Sequence, residues 1–123
     1  MVNTHNLSSG LFAANLLKSK GSDYLLENPK QIFADAGYQN IKPRPLNKLG
    51  FALMNEGEYK NALTVFITNT KLFPNEPNTF DSLAFAYEKT GGKAKAIANY
   101  KVALSLDSKF KSASEGLARL KIK

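Results

Sequence analysis

The sequence contains no cysteine and no tryptophan, and its only histidine is His5. Without cysteine the chain has no disulfide and no thiol nucleophile, and the redox state of its compartment is not encoded. A single histidine in a polar segment argues against a catalytic triad and against a histidine-based metal site. We therefore expect no metal ion and no other cofactor.

Long hydrophobic runs are missing as well. No stretch reaches the roughly 20 apolar residues that span a bilayer, and residues 1–17 lack the basic leader and apolar core of a signal peptide. With 43% hydrophobic and 22% charged residues, the 123-residue chain has the composition of one soluble globular domain. We expect a cytoplasmic location and no membrane contact, unless the chain is a fragment of a secreted protein.

Acidic residues are scarce at one end of the chain, where the formal net charge of +7 is concentrated. Residues 1–88 carry eight Lys/Arg and eight Asp/Glu, whereas residues 89–123 carry nine Lys/Arg and two acidic residues. A basic end attracts nucleic acid, anionic lipid or acidic proteins. Because these lysines lack interleaved aromatics and a nucleic-acid motif, a solvated lysine face is favoured. Anion or nucleic-acid binding is kept as an alternative function, although we do not expect nucleic acid as the partner.

The chain does contain an internal repeat of 34 residues, in which residues 77–110 restate residues 43–76. A period of this length is that of one helix–turn–helix unit in stacked-repeat proteins. The sequence therefore predicts an all-α fold built from antiparallel helix–turn–helix repeats. The identities pair Pro43, Leu49, Phe51, Ala52, Gly57, Ala62 and Leu72 with Pro77, Leu83, Phe85, Ala86, Gly91, Ala96 and Leu106.

Glycine and proline mark the ends of the predicted helices, since glycine closes a helix and proline cannot continue one. The run 63–68 is β-branched and typical of a strand. Its alignment on the helical segment 97–102 nevertheless favours a helix. We predict four helices in the repeats and one terminal cap, over about residues 46–56, 59–72, 78–90, 93–106 and 109–122.

Residues 1–42 do not continue the repeat and are predicted to form an N-terminal helical extension with a linker. Apolar spacing predicts one helix over about residues 9–19 and a second over about 23–36, which Pro29 interrupts. The chain is thus divided into the extension, two repeats and a C-terminal capping helix. These segments are residues 1–42, 43–76, 77–110 and 111–123.

The repeated residues resemble those of the tetratricopeptide repeat (TPR) family. The pattern comprises large residues and a leucine–small pair in the first helix, then an alanine and an aromatic residue in the second. The chain departs from it at Asn69, where the family has alanine, and at Ser108, where it has proline. The matching residues are Leu46, Leu49, Gly50, Leu53, Ala62, Phe66 and Pro74, then Phe80, Leu83, Ala84, Tyr87, Ala96 and Tyr100.

This resemblance implies a TPR-like solenoid with only two repeats and a cap. Stacks of about three repeats are usual for stability. The N-terminal helices, or a second copy of the chain in a homodimer, are therefore expected to supply the missing burial.

A narrower resemblance is to the helical-repeat tail of bacterial serine hydrolases of the penicillin-recognising or esterase type. Nothing in residues 1–42 looks like the catalytic domain that precedes such a tail. The resemblance therefore implies an accessory or orphan tail with a structural or self-association role, which is the alternative function. It is carried by residues 46–50, 62–66, 69, 73–75, 78 and 81–83.

Two short motifs formally match those of serine hydrolases but are placed wrongly for catalysis. Residues 108–111 read serine–x–x–lysine, and residues 89–91 read lysine–threonine–glycine. Both fall in predicted turns between helices, whereas the enzyme motifs need a helix start and a sheet edge that face one cleft. We therefore predict no catalytic residues and no enzyme activity.

A concave groove remains as the candidate site, since the first helix of each TPR repeat lines that face. The resemblance places ten residues there, and the equivalent Phe51 and Phe85 would anchor a bound peptide. The alternative is that residues 1–42 or a second copy cover these rings. The predicted function is a non-catalytic protein–protein interaction module that binds a peptide or protein segment. The groove residues are Arg44, Asn47, Phe51, Met54, Asn55, Asn78, Asp81, Phe85, Glu88 and Lys89.

Overall fold

The computed structural model describes residues 8–122, except for the side chain of Ile122, and every regular element in that range is an α-helix. The predicted all-α class is therefore confirmed. The polar start that carries His5 lies outside the described residues. The helices are α1 (Ser9–Lys20), α2 (Ser22–Glu27), α3 (Pro29–Asp35), α4 (Pro43–Asn55), α5 (Tyr59–Leu72), α6 (Pro77–Lys89), α7 (Lys93–Leu106) and α8 (Lys111–Ile122).

The helix boundaries repeat at the spacing of the sequence. Helices α4 and α6 begin 34 residues apart at Pro43 and Pro77, and α5 and α7 have the same offset at both ends. Both first helices begin earlier than predicted, because proline is well suited to the first turn, where its missing N–H is not needed. The turns that follow them use Gly57 and Gly91 at φ angles of 79° and 88°, which L side chains rarely adopt.

The chain divides into two compact units, Met1–Leu72 and Phe73–Lys123. In the first unit, α1, α2 and α3 pack against α4 and α5 around one hydrophobic cluster. Phe12 lies 5.1 Å from Phe33 and 5.0 Å from Tyr38 between ring centroids, which is the range of favourable aromatic pairs. The buried members of this cluster are Ala13, Leu25, Phe33, Leu46 and Val65.

The β-branched run in α5 is helical, as predicted from its alignment. Its threonine hydroxyls bond to carbonyls one turn back, Thr64 to Lys60 at 3.1 Å and Thr68 to Thr64 at 2.8 Å. Val65 and Phe66 are fully buried on the same helix. Tertiary burial therefore outweighs the strand propensity of the run.

Asn69, the departure from the TPR pattern, has a structural role in the first unit. Its side chain is fully buried, and Nδ2 donates a hydrogen bond of 3.0 Å to the carbonyl of Pro43. This bond ties the last turn of α5 to the first residue of α4. An alanine at this position would leave the two helix ends without that link.

In the second unit α6, α7 and α8 pack around a separate cluster in which alanine predominates. Small residues let the helix backbones approach closely while Tyr100 fills the space between them. Gly116 of α8 lies against the Tyr100 ring so closely that an added Cβ would overlap it. The buried members are Ala84, Ala96, Tyr100, Ala103, Ala113, Leu117 and Leu120.

None of the helices within residues 8–122 has both the length and the apolarity to cross a membrane.

Candidate functional site

The predicted binding residues of α4 lie on the side of the helix that faces away from its core leucines. At about 100° per residue, Phe51 is on the opposite side of α4 from Leu49 and Leu53, which pack against the N-terminal helices. Arg44 and Asn55 are exposed, whereas Asn47, Phe51 and Met54 are half-buried. The α1–α3 cluster of the first unit therefore uses a different side of α4.

Phe51 is held by the core of the first unit along one edge. Its ring meets that of Phe66 at an interplanar angle of 71°, with the centroids 5.1 Å apart. Phe66 is fully buried, so this edge-to-face contact gives Phe51 a fixed position. The rest of the Phe51 ring is only half-buried.

On α6 the equivalent ring, Phe85, is also half-buried. The Lys89 ammonium lies 5.1 Å from the centroid of this ring, within the range of a cation–π contact. Lys89 and Asn78 are exposed on the same helix. The neighbourhood of Phe85 is thus more cationic than that of Phe51.

The two acidic residues predicted for the groove, Asp81 and Glu88, contact α8 and α7 within the second unit. Asp81 Oδ2 accepts a hydrogen bond of 2.8 Å from the Ser112 hydroxyl. Glu88 Oε1 accepts one of 2.7 Å from Tyr100 Oη. Arg119 Nε and Nη2 donate to the two Glu88 oxygens at 3.1 Å each, which is a bidentate ion pair.

Sequence reasoning placed these carboxylates but missed their partners. The spacing of the repeat could have found them, because α8 begins at Lys111, 34 residues after Pro77. By register, α8 occupies the place of the first helix of a third unit. Its side chains were therefore candidates for contact with α6.

This network changes the acidity of its members. Hydrogen bonds from Arg119, with a smaller contribution from Tyr100, lower the pKa of Glu88 below its ordinary value of 4.5. Burial raises the pKa of Tyr100, and its hydrogen bond to Glu88 raises it further. Burial also raises the pKa of Asp81, although the Ser112 hydroxyl partly opposes this.

Two equivalent side-chain oxygens are buried without a hydrogen-bond donor in the part of the chain that the structure describes. They are Oδ1 of Asn47 on α4 and Oδ1 of Asp81 on α6. An acceptor buried without a partner costs free energy, and most such groups in folded proteins are satisfied. Both oxygens belong to residues predicted for the groove.

Replacing Asp81 with asparagine is expected to stabilise the chain at pH 7, by up to about 1 kcal/mol. The raised pKa means that folding disfavours the ionised form, so Asp81 lowers stability at pH values above its ordinary pKa of 3.8. Below that pH the carboxyl is protonated in both states, and the difference between variant and parent should vanish. Urea unfolding of Asp81→Asn at pH 7 and pH 3 measures this.

The control is Glu115→Gln, which neutralises an exposed acid of α8. It should change the free energy of unfolding little at either pH. A lower stability of Asp81→Asn at pH 7 would show that the charge of Asp81 stabilises the second unit after all.

No cluster of three or more His, Cys, Asp or Glu side chains that could hold a metal ion occurs in residues 8–122. No family model matches the chain, and no curated protein sequence matches it significantly. The likeness to the TPR family therefore stays a prediction from the repeated residues.

Proposed function

We propose that the chain is a non-catalytic protein–protein interaction module of the TPR type, which binds a peptide or protein segment through α4 and α6. The observation that carries the proposal is the placement of Phe51 and Phe85. They occupy equivalent positions of two helix pairs with the same 34-residue offset, and both are half-buried.

The other repeated residues explain themselves through packing. Ala62 and Ala96, for example, are fully buried at equivalent positions of α5 and α7. A phenylalanine that keeps part of its ring exposed gains less from burial than one placed inside the core. Its recurrence supports a role at the surface, where aromatic side chains are enriched in interface anchors.

The polar neighbours support a peptide as the bound segment. The buried Oδ1 of Asn47 accepts no hydrogen bond within the described chain, and it lies one turn before Phe51 on α4. A backbone N–H of a bound segment would satisfy it. An apolar anchor beside an amide acceptor is the combination that helical grooves offer to extended or helical peptides.

Site-specific photocrosslinking tests this function in an extract of the source cells. A photoreactive phenylalanine analogue at position 51 or at position 85 is expected to crosslink the same partner protein. The same analogue at Val102, which is 37% exposed on α7 and outside the proposed surface, is the control.

The double variant Phe51→Gln/Phe85→Gln should lower capture of that partner at least about tenfold, a loss that removing two interface anchors readily produces. The matched variant Val102→Gln/Leu106→Gln changes two exposed apolar residues of α7 and should retain it. Crosslinks only at the control position, or undiminished capture by the double phenylalanine variant, would refute the proposal.

A further inference from the structure

We infer that the first unit carries a second binding site, a groove between α1 and α4 that takes an acidic peptide segment with a bulky apolar side chain. The groove has a volume of about 520 Å³. This site goes beyond the proposed function, because it uses α1 and needs neither Phe51 nor Phe85. Its apolar wall is formed by Leu11, Pro45, Leu49 and Ala52, and its cations are Arg44 and Lys48.

The apolar wall is exposed although it belongs to a well-packed part of the first unit. Leu11 is 48% exposed on α1, which is high for a leucine that lies next to a helix–helix contact. At that contact an added Cβ on Gly10 would lie 3.0 Å from the carbonyl oxygen of Pro45, so α1 and α4 approach closely there. The close contact fixes the position of Leu11 beside α4, and an apolar side chain placed against it would be removed from water.

The charges of the groove have one sign only. Arg44 and Lys48 are exposed and lie one helical turn apart on α4, where side chains four residues apart are neighbours. No acidic residue lines the groove. Neither cation has an ion pair within residues 8–122, where the ion pair found is that of Glu88 with Arg119. Two unpaired cations beside an apolar wall complement a ligand that carries carboxylates next to an apolar group.

The shape of the groove favours a peptide over a small lipid. The groove is open to solvent along one side, so an acyl chain lying in it would keep much of its apolar surface in water. A peptide segment buries one apolar side chain in the groove and leaves its polar backbone at the open side. Its volume is within the range of about 300–1,000 Å³ that is typical of ligand pockets.

Fluorescence anisotropy with a designed probe tests the inference on the full chain. The probe is a fluorescein-labelled peptide in which two leucines are flanked by aspartates, and its control peptide has asparagines in place of the aspartates. We expect the acidic peptide to bind roughly tenfold more tightly at low salt, and this advantage should shrink as salt screens the charges.

Three variants localise the binding. Arg44→Glu/Lys48→Glu should weaken binding of the acidic peptide about tenfold or more, and Leu11→Ser should weaken binding of both peptides. The control Lys30→Glu/Lys60→Glu reverses two exposed lysines of the same unit that do not line the groove, and it should bind nearly as the parent does. Far-UV circular dichroism checks that each variant is folded.

Phe51→Gln/Phe85→Gln should leave this binding unchanged, which separates the groove from the proposed function. Equal binding of the two peptides, no binding of either, or an equal loss in the Lys30→Glu/Lys60→Glu variant would overturn the inference.

Discussion

Adding a single methyl group at Gly50 is expected to destabilise the first unit by about 2 kcal/mol, the usual scale for overpacking a core. In a helix without tertiary contacts the same change would stabilise by about 1 kcal/mol, since alanine is the better helix former. The structure reverses the sign because a Cβ on Gly50 would lie 2.5 Å from two atoms of the Phe66 ring. That ring is fully buried and has little room to move.

A double-mutant cycle with Phe66→Leu separates the steric term from the helix propensity. Gly50→Ala should cost about 2 kcal/mol in the parent and less than about 0.5 kcal/mol once the ring is replaced by leucine. Urea unfolding followed by circular dichroism supplies the free energies. If Gly50→Ala stabilises the parent chain, the close contact between α4 and α5 described above is wrong.

Glu88→Ala is expected to destabilise the second unit by about 2–3 kcal/mol, which is the range for losing hydrogen bonds to a charged group. The substitution removes the acceptor of the buried Tyr100 hydroxyl and the partner of Arg119 at the same time. Glu88→Gln keeps an acceptor for Tyr100 but loses the charge, so it should cost about half as much. Arg119→Ala should cost less than about 1 kcal/mol, because its side chain is 48% exposed.

The Glu88 effect depends on pH in the direction opposite to that of Asp81. Because the folded pKa of Glu88 is lowered, its stabilisation is fully present above the ordinary value of 4.5 and is lost as the pH falls through the folded pKa. The difference in stability between the parent and Glu88→Gln should therefore shrink on acidification. A difference that is constant from pH 7 to pH 3 would contradict the ion pair with Arg119.

The order of helices could be predicted from the sequence because it rests on local chemistry. Glycines 57 and 91 must close the turns, and the predicted bounds of α5 and α7 agree with the structure at both ends. The starts of α4 and α6 were placed too late. The reason is that proline was treated as a residue before the helix, whereas it occupies the first turn.

The side-chain partners could not be predicted, because they are brought together by packing between helices. The bond from Asn69 to Pro43 spans 26 residues, and the pair of Glu88 with Arg119 spans 31. No local pattern encodes such distances, and a single sequence offers no second example of the contact. The groove beside Leu11 was missed for the same reason, since α1 lies outside the repeat and has no counterpart within it.

Arg119 has a consequence for how the repeat ends. Counting forward by 34 from Phe51 leads to Phe85 and then to Arg119, so the third occurrence of this slot holds a cation. A phenylalanine there would give α8 the same apolar anchor as α4 and α6, and copies of the chain would then have a sticky end for open-ended, head-to-tail association. The arginine instead directs its charge to Glu88 and keeps nearly half of its side chain in water. At this position, resistance to polymerisation comes from one codon's worth of difference between a repeat and its cap.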